Sequence, residues 1–481
     1  MQFATIRRVL GVLMTIYAFS MIPPMLVSLW YQDGEFIHFL ESFGIMAAVG
    51  LAVWLPVRGR GHEMRRREGF LIVTLFWVLL SALSSLPLHL GAHVDYTDAF
   101  FESVSGFTTT GATVIVGLDH LPKSILYYRQ QLNWLGGMGI VVLAIAILPM
   151  LRIGGMQLYR AETPGPMKDD KLTPRIAHTA QALWVIYMGL TVACAIGYWI
   201  AGMTPFDAVG HAFATIATGG FSTHDASFAY FHNPYIEAVG DVFMLLSGMN
   251  FAIHYLAIRK VSMGAYWRDE EVRAYLVFIL GSILLVSLTL WFEGTYHSPL
   301  TALRYGAFQV LTVMTSTGFV STNFSGWPIY VPAFLMLIAI IGGCAGSTSG
   351  GMKMVRVLLG FKQGVREFRR LQHPRAEFPV KFNGRVLPER VISAVWSFLA
   401  AYVIVYVLLM LALMAAGLDQ VSAFSAVAAC INNMGPGLGQ VATNFAGISD
   451  AAKWILSFAM LLGRLELFTL LMLFMPGFWR D

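Results

Sequence analysis

Charged residues are scarce in this sequence. Asp, Glu, Lys and Arg make up 12% of its 481 residues, whereas a soluble domain carries about 25%. Hydrophobic residues reach 57%, and many apolar runs have the roughly 20 residues that a helix needs to cross a membrane. This composition excludes a soluble globular protein and predicts an all-α polytopic membrane protein.

Cysteine and buried acids are scarce as well. The three cysteines, Cys194, Cys344 and Cys430, lie in or beside apolar segments without the spacing of a metal site. We therefore expect small buried side chains rather than ligands. Apart from Glu466, the apolar runs carry almost no acidic residue. This argues against a membrane-embedded enzyme, and a motif that could cradle a nucleotide phosphate is missing too.

The apolar runs predict ten membrane spans. They lie at 9–30, 36–56, 70–90, 131–150, 181–202, 238–258, 273–292, 331–359, 392–416 and 452–474. Run 331–359 is too long for one plain helix, and "GGCAGSTSGG" interrupts it at Gly342–Gly351. Glycine costs about 1 kcal/mol per helical position against alanine, so we expect a break there rather than close helix packing through small residues.

Lys and Arg are distributed unevenly between the two sides of this topology. One side holds 27 of the 32 basic residues, the other holds only Lys123, Arg129, Arg304 and Lys453, and Arg464 lies within a predicted span. The positive-inside rule makes the basic side cytoplasmic and places both termini inside. The cytoplasmic stretch 359–391 is basic and rich in proline. It is either a solvated loop that sets topology or a docking surface for a cytoplasmic partner.

Four shorter stretches separate pairs of spans and resemble one another. They lie near 97–114, 205–222, 301–321 and 420–439, and each dips in from the outer side. Aligning their glycines matches four triplets: Thr109, Thr110 and Gly111; Ala217, Thr218 and Gly219; Ser316, Thr317 and Gly318; and Asn433, Met434 and Gly435. A repeat of both sequence and hydropathy predicts four copies of one unit. We expect two extra helices in 1–68, then repeats at 69–160, 161–262, 263–375 and 376–481.

The repeated triplets favour an ion pore. Irregular backbone is tolerated at membrane depth only where it lines a cavity or is buried in protein. Backbone carbonyls can replace the water shell of an alkali cation, as in potassium filters. Glycine reaches the backbone angles that such loops need, and a short helix aims the negative end of its dipole at the cation. A single such motif would more simply be a turn, but four matched copies favour a filter around a central pore.

These motifs resemble the Trk/Ktr/HKT superfamily of potassium-translocating subunits, in its bacterial TrkH/TrkG type. The resemblance is carried by "GFTTTGAT", "ATGGFS", "TSTGF", "NNMGPGLG", "GGCAGSTSGGMKMVR" and "GRLELFTLL", and it covers essentially the whole chain. It implies potassium uptake across the bacterial inner membrane, a homodimer with one pore per protomer, and a cytoplasmic nucleotide-binding ring of TrkA type. Nucleotide would then bind the partner and not this chain, and neither the resemblance nor the composition indicates a nucleic-acid partner beside the membrane lipid.

The resemblance also implies roles for two further segments. An intramembrane gate would lie below the filter and comprise Gly342, Gly343, Gly346, Ser347, Thr348, Gly350, Gly351 and, just beneath, Lys353. Arg464 would be an electrostatic barrier on the conduction path, although a structural ion pair is the alternative. A charge at mid-membrane costs about 2.5–3.5 kcal/mol, and Glu466 would sit on another helix face, so we expect a partner elsewhere.

The sequence leaves two alternatives for the transported ion. In related plant transporters, serine at the first filter glycine accompanies sodium selectivity, whereas this chain has glycine at all four aligned positions. The fourth triplet departs from the threonine pattern with Asn433 and Met434, so an asymmetric ring is expected. The alternative to potassium uptake is a sodium or non-selective transporter of the same fold, with coupling to protons or sodium left open.

Overall fold

The computed structural model describes residues 3–59, 66–139 and 176–480. Within these ranges almost every element is a helix, and the only strand pairing joins Lys381–Phe382 to Arg385–Val386. Six described helices are long and apolar enough to cross a membrane, or eight if two sharply bent helix pairs each count as one span. The chain is therefore an all-α polytopic membrane protein, as predicted.

The first two spans form an antiparallel pair. Phe3–Ala18 continues through a 3₁₀ turn into Ile22–Tyr31, and Phe36–Trp54 packs back against it. Gly11 lets the two backbones approach closely, because a Cβ atom there would lie 2.8 Å from the carbonyl oxygen of Gly50. Close approach through small residues is the usual way helices pack where lipid removes the hydrophobic driving force.

The remaining described residues form four units, each with a long helix, a short helix and then a third helix, which is broken in units 2, 3 and 4 and is described only in its first part in unit 1. The long helices 1–4 are Arg66–Ser84, Ile176–Ile200, Glu270–Phe292 and Glu389–Ala415. The short helices 1–4 are Tyr96–Phe107, Pro205–Ala217, Pro299–Met314 and Gln420–Ile431. Long helix 1 is extended by Leu86–Gly91. The order of the described helices agrees with the predicted four-unit fold, and residues 140–175 lie outside the described ranges.

Local sequence explains where the short helices begin. Pro205 and Pro299 occupy the first turn of short helices 2 and 3, where the missing N–H costs nothing. Thr204 accepts a hydrogen bond from the Asp207 N–H, and Asp419 caps short helix 4 through the N–H groups of Val421 and Ser422. Such caps satisfy the otherwise unpaired donors of a helix start.

The broken helices correct the predicted spans. The prediction treats 238–258 and 452–474 as continuous, but the structure has Pro234–Ser247 and Phe251–Lys260 bent by 94°, and Asp450–Arg464 and Phe468–Phe474 bent by 107°. The prediction for 331–359 is confirmed, because Tyr330–Ile341 ends before the glycine-rich segment and Met354–Gln372 follows it.

Broken helix 1 is described only in its first part. Lys123–Trp134 passes into π-helical turns at Leu135–Gly139, so most of the predicted span 131–150 lies outside the described residues. All three cysteines are free and buried, which agrees with their interpretation as small buried side chains.

Two apolar clusters hold these elements together. The larger one runs through the first helix pair and all four units. A smaller one joins the Lys381–Val386 hairpin to the starts of Met354–Gln372 and long helix 4, through Val355, Leu359, Val380, Phe382, Leu387, Ile392 and Val395. Between the clusters lies the glycine-rich segment of unit 3.

Candidate ion-conduction site

Each short helix ends in the same backbone turn. One residue with a left-handed φ of 51–56° follows the helix, and a glycine with positive φ stands two positions later. The left-handed residues are Thr109, Thr218, Ser316 and Asn433, and the glycines are Gly111, Gly220, Gly318 and Gly435. Non-glycine residues rarely adopt a left-handed φ. Four instances at matched positions therefore mark one shared structural feature.

The four glycines form a closed ring with the carbonyl groups of the neighbouring segments. A Cβ atom on Gly111 would lie 2.5 Å from the carbonyl oxygen of Gly219 in the next unit. The corresponding distances from a Cβ atom to a carbonyl oxygen of the next unit are 1.9 Å from Gly220 to Thr317, 2.0 Å from Gly318 to Met434, and 2.7 Å from Gly435 to Thr110. No real side chain tolerates such distances. Glycine at these positions lets the four segments meet around one axis.

The sequence alignment of unit 2 is one residue too early. Ala217 is still the last residue of short helix 2, and Gly220 rather than Gly219 occupies the ring position. The hydrogen bonds agree, because the Gly219 N–H donates to Ala214 just as the Thr110 N–H donates to Ser105. The motif "ATGGFS" contains two adjacent glycines, so matching glycines alone could not choose between them.

Side-chain hydroxyl and amide groups brace the ring from behind. Thr108 and Thr110 share a hydroxyl hydrogen bond of 2.7 Å, and Thr315 and Thr317 share one of 2.8 Å. The departure from threonine in unit 4 has a structural counterpart. Asn433 donates from its amide to the Thr110 hydroxyl at 3.0 Å, and so connects units 4 and 1.

A buried ion pair that the sequence did not reveal supports the first segment. Glu102, on short helix 1, accepts hydrogen bonds from Arg129 at 2.6 and 2.9 Å and from the Val114 N–H at 2.9 Å. Both charged side chains are at most 1% exposed. Arg129 also donates to the Ser222 carbonyl in unit 2, so the pair ties two segments of the ring together.

The other three basic residues of the predicted outer side also make contacts at the short helices. Lys453 pairs with Asp98 on short helix 1 at 2.5 Å, and Arg304 on short helix 3 pairs with Glu237 at 2.6 Å. The Lys123 ammonium lies 4.9 Å from the ring centre of Phe206 on short helix 2. The signal was present in the sequence, since all four exceptions to the positive-inside pattern lie in or near the short helices.

The glycine-rich segment of unit 3 runs across the site as an irregular loop, which we call the crossing loop (342–353). Its backbone has positive φ at Gly342, Gly346, Gly351 and Lys353, and a helix cannot form through such positions. A Cβ atom on Gly350 would lie 2.0 Å from the carbonyl oxygen of Asn432. The loop is therefore packed directly against the base of the ring.

Hydrogen bonds connect the crossing loop to three units directly. The Thr348 hydroxyl donates to the Ile216 carbonyl at 2.9 Å, beside the end of short helix 2. The Gly350 N–H donates to the Ser316 hydroxyl at 2.5 Å, and the Gly351 N–H donates to the Asn432 carbonyl at 3.1 Å. Gly343 and Ser347 hold the loop to itself through the Ser349 hydroxyl and the Cys344 carbonyl.

Arg464 completes the connection to unit 1. It donates to the Thr109 hydroxyl and the Thr348 carbonyl, each at 3.2 Å, and to the carbonyl oxygens of Gly136 and Gly137. Instead of lying within a continuous span as predicted, it is the last residue of Asp450–Arg464. The expectation that Glu466 is not its partner agrees with the structure, in which Glu466 pairs with Arg356 at 2.7 Å.

Lys353 is a second buried cation below the ring. It is 5% exposed and donates to the carbonyl oxygen of Ser349 within the crossing loop. A buried ammonium is costly unless it is hydrogen-bonded or paired. Lys353 and Arg464 therefore place two positively charged side chains at the crossing loop, next to the base of the ring.

Comparison with known proteins places the chain in a defined group. A family model described as TrkH, cation transport protein, matches residues 37–480. The chain is 52% identical to the Trk system potassium uptake protein TrkH of Vibrio parahaemolyticus, over 100% of both chains. It is 42% identical to the Trk system potassium uptake protein TrkG of Escherichia coli, over 98% of this chain and 97% of that protein.

A solved structure has the same fold. The crystal structure of the potassium transporter TrkH from Vibrio parahaemolyticus matches the described architecture with a TM-score of 0.91 and 50% sequence identity. The match covers 100% of both chains. At this identity and coverage the likeness extends to the whole molecule.

Proposed function

The chain belongs to the TrkH family of cation transport proteins, and on that premise we propose that potassium enters the cell through its ring of glycines and carbonyls. It is a potassium uptake protein of the TrkH/TrkG type, hence a transporter and not an enzyme. The observation that carries the proposal is the closed ring, in which each glycine faces the carbonyl of the next unit.

The ring supplies what a dehydrated cation requires. The carbonyl oxygens of Thr110, Gly219, Thr317 and Met434 lie at the four contacts of the ring, and they carry partial rather than full negative charge. Oxygens of this kind replace water without holding the ion too tightly to leave. Four helix ends face the same region, and each contributes the negative end of its dipole.

The crossing loop is proposed as the gate. It contacts the base of units 2, 3 and 4 directly and reaches unit 1 through Arg464. With Lys353 and Arg464 in place, the path below the ring is occupied by backbone and by positive charge. Opening of this gate requires the hydrogen bonds from the loop to the carbonyl groups of Ile216 and Asn432 to break.

A sodium or non-selective transporter of the same fold is the second candidate. Nothing in the ring distinguishes the ions except the glycine at each position, and the corrected register keeps that pattern because Gly220 replaces Gly219. Four glycines favour potassium. Among the described residues, we find none that by itself favours coupling to protons or sodium.

The remaining assignments follow from the family and the charge distribution. The names of the relatives refer to a Trk system, which implies further components. We propose a homodimer in the bacterial inner membrane, with both termini cytoplasmic and with a TrkA-type ring docked on the basic side. Nucleotide acts on that ring, so the purified chain alone should bind none. We also propose that the two extra helices occupy residues 1–68 and that the four repeats occupy 69–160, 161–262, 263–375 and 376–481.

The transport proposal is tested by growth and flux. Cells that lack their own potassium uptake systems should grow at low external potassium when they produce this chain, and they should accumulate rubidium faster than sodium. Gly111→Ser should lower the potassium-to-sodium uptake ratio, because its Cβ would press on the Gly219 carbonyl at 2.5 Å. Rescue with an unchanged ion ratio in this variant would refute the filter assignment.

The gate proposal needs its own experiment. Deleting residues 346–349 should raise rubidium flux through the purified chain in proteoliposomes, because the loop can no longer reach Ile216 and Ser316. Deleting the four exposed residues 374–377, which lie between Met354–Gln372 and the hairpin, is the control for a general effect of shortening. A loop deletion that conducts no faster than the parent protein would contradict the gate.

A further inference from the structure

One carboxylate outside the ring is placed so that it holds both ends of the crossing loop. Glu271 lies in the first turn of long helix 3 and is 5% exposed. A single oxygen, Oε1, accepts hydrogen bonds from the Ala345 N–H at 2.7 Å and from the Val355 N–H at 3.0 Å. These two donors lie ten positions apart in the chain, on either side of the segment that touches the ring.

Both donors need this acceptor. Val355 lies in the first turn of Met354–Gln372, where backbone N–H groups have no partner within the helix. Lys353, at the N-cap position, makes no side-chain cap to that helix. Glu271 therefore supplies the missing cap from another helix of the same unit, with a negative charge at the positive end of the helix dipole. Its bond to Ala345 places the other side of the loop at the same point.

Glu271 itself is held rigidly by its neighbours. Asp269 caps long helix 3 through the Val272 N–H at 3.0 Å. Asn383 at the hairpin tip accepts from the Glu270 N–H at 2.8 Å and donates to Asp269 at 3.0 Å. The start of the helix that carries Glu271 is thus tied to the hairpin, and the carboxylate cannot move away freely from the loop.

We infer that Glu271 is the positioning residue of the crossing loop, the clasp that keeps it under the ring until the two hydrogen bonds break. The expected effect of Glu271 on transport depends on the proposed function of the loop as a gate. Its expected effect on the position of the loop does not. Hydrogen bonds to a charged acceptor are stronger than neutral ones, so losing both should populate loop conformations that have left the ring. Glu271 touches no part of the ring and has no role in selectivity.

Cys344 reports on the loop directly, because it precedes Ala345 and is completely buried. We would replace Cys194 and Cys430 by alanine and measure the rate at which a methanethiosulfonate reagent modifies Cys344. Glu271→Ala should raise this rate about tenfold or more, the factor expected from losing charge-assisted hydrogen bonds. Glu271→Gln keeps an acceptor oxygen and the side-chain shape, so its rate should fall between those of the parent protein and Glu271→Ala.

Two controls separate the clasp from a loss of folding. Glu270→Ala removes the neighbouring carboxylate, whose ion pair with Lys362 is partly exposed, and it should leave Cys344 protected. A protein that keeps only Cys430, buried in short helix 4, should stay unreactive with Glu271→Ala. Equal exposure of Cys430, or Cys344 rates within twofold of the parent protein in both Glu271 variants, would overturn the inference.

Rubidium flux distinguishes this inference from the proposed gate. In proteoliposomes that contain only this chain, Glu271→Ala should raise flux together with Cys344 exposure and leave the rubidium-to-sodium ratio unchanged. Exposure of Cys344 without faster flux would support the clasp and count against the loop as a gate. Faster flux from the deletion of 346–349, with no effect of Glu271→Ala on flux or exposure, would keep the gate and refute the clasp.

Discussion

Single glycines decide whether the four segments can meet. At each ring position the backbone has a positive φ of 70–94°, and a neighbouring carbonyl occupies the place of a Cβ atom. Either condition alone disfavours a side chain, since a positive φ strains L-residues and a 2 Å contact is impossible. In unit 2 the structure places Gly220 in the ring, so Gly220 and not Gly219 should have the role of Gly111, Gly318 and Gly435.

Gly220→Ala is the informative substitution. Its Cβ would lie 1.9 Å from the Thr317 carbonyl, so the ring must distort, and the potassium-to-sodium uptake ratio should fall about tenfold or more, equal to about 1.4 kcal/mol. Gly210→Ala, inside short helix 2, is the matched control, because the nearest atom is a flexible Gln130 side chain at 3.2 Å. An unchanged ratio for Gly220→Ala would refute the register.

The buried pair of Glu102 and Arg129 gives a stability prediction. Removing one partner of a buried ion pair costs about 3–5 kcal/mol, because the other charge is left unpaired. Arg129→Met should therefore lower the unfolding temperature of the purified protein strongly. Adding Glu102→Leu should recover part of the loss, since no lone charge remains. If the double variant were less stable than Arg129→Met, desolvation of Glu102 would not be the cause.

Among the helices, the breaks in the broken helices of units 2, 3 and 4 are the main departure from plain membrane spans. Gly248 to Asn250 interrupts unit 2, the crossing loop interrupts unit 3, and Leu465 to Leu467 interrupts unit 4. In unit 2 the side chain of Asn250 restarts the helix by accepting from the Ala252 N–H. Each break ends next to the base of the ring, so helices that sequence patterns treat as plain spans carry irregular backbone where the pore is proposed.

The loop 218–233, which follows short helix 2, contains a histidine that should make the stability of the protein depend on pH. His224 is nearly buried, stacks on Tyr230 at 3.5 Å, and lies between Asp119 and Asp207 at 2.5 and 3.5 Å. Burial by itself would lower the pKa of His224, but the neighbouring carboxylates of Asp207 and Asp119 raise that pKa above its usual value. The hydrogen bond from His224 lowers the pKa of Asp119, so both partners favour the ion pair.

The stabilisation from His224 is complete below its unfolded pKa of about 6.5, and it is lost as the pH rises through the raised folded value. The unfolding temperature should therefore fall between pH 6 and pH 9 by more in the parent protein than in His224→Gln. His297→Gln, an exposed histidine before short helix 3, should behave like the parent protein. The same decline in His224→Gln would show that another group is responsible.

At the scale of the whole molecule, sequence patterns predict the architecture well and the contacts poorly. Composition and the repeated short stretches predict the helical membrane fold and the four units, because both depend on local runs of residues. The ring register predicted for unit 2 is wrong, because "TGG" contains two adjacent glycines. The hydrogen bonds from the Gly219 N–H to the Ala214 carbonyl and from the Thr218 N–H to the Thr215 carbonyl show that the second glycine lies in the ring. Hydrophobicity is insensitive to a one-residue shift.

The missed contacts are those between residues distant in sequence. Glu102 and Arg129 lie 27 positions apart, and Arg464 meets Thr109 across 355 positions. No single sequence pattern connects such residues, although the scarcity of charge makes each buried ion pair conspicuous once its position is known. Glu271 appears in the sequence only as one of three consecutive acids, and its hydrogen bonds to the crossing loop depend on the packing of unit 3.

The proposed filter requires a bare monovalent cation between the carbonyl oxygens of Thr110, Gly219, Thr317 and Met434. Crystals grown in rubidium, measured at its absorption edge, test this directly through anomalous scattering. The account predicts an anomalous peak on the common axis at hydrogen-bond-like distance from these carbonyl oxygens, and a weaker peak when sodium replaces most of the rubidium. Anomalous density elsewhere in the protein, with none inside the ring, would contradict it.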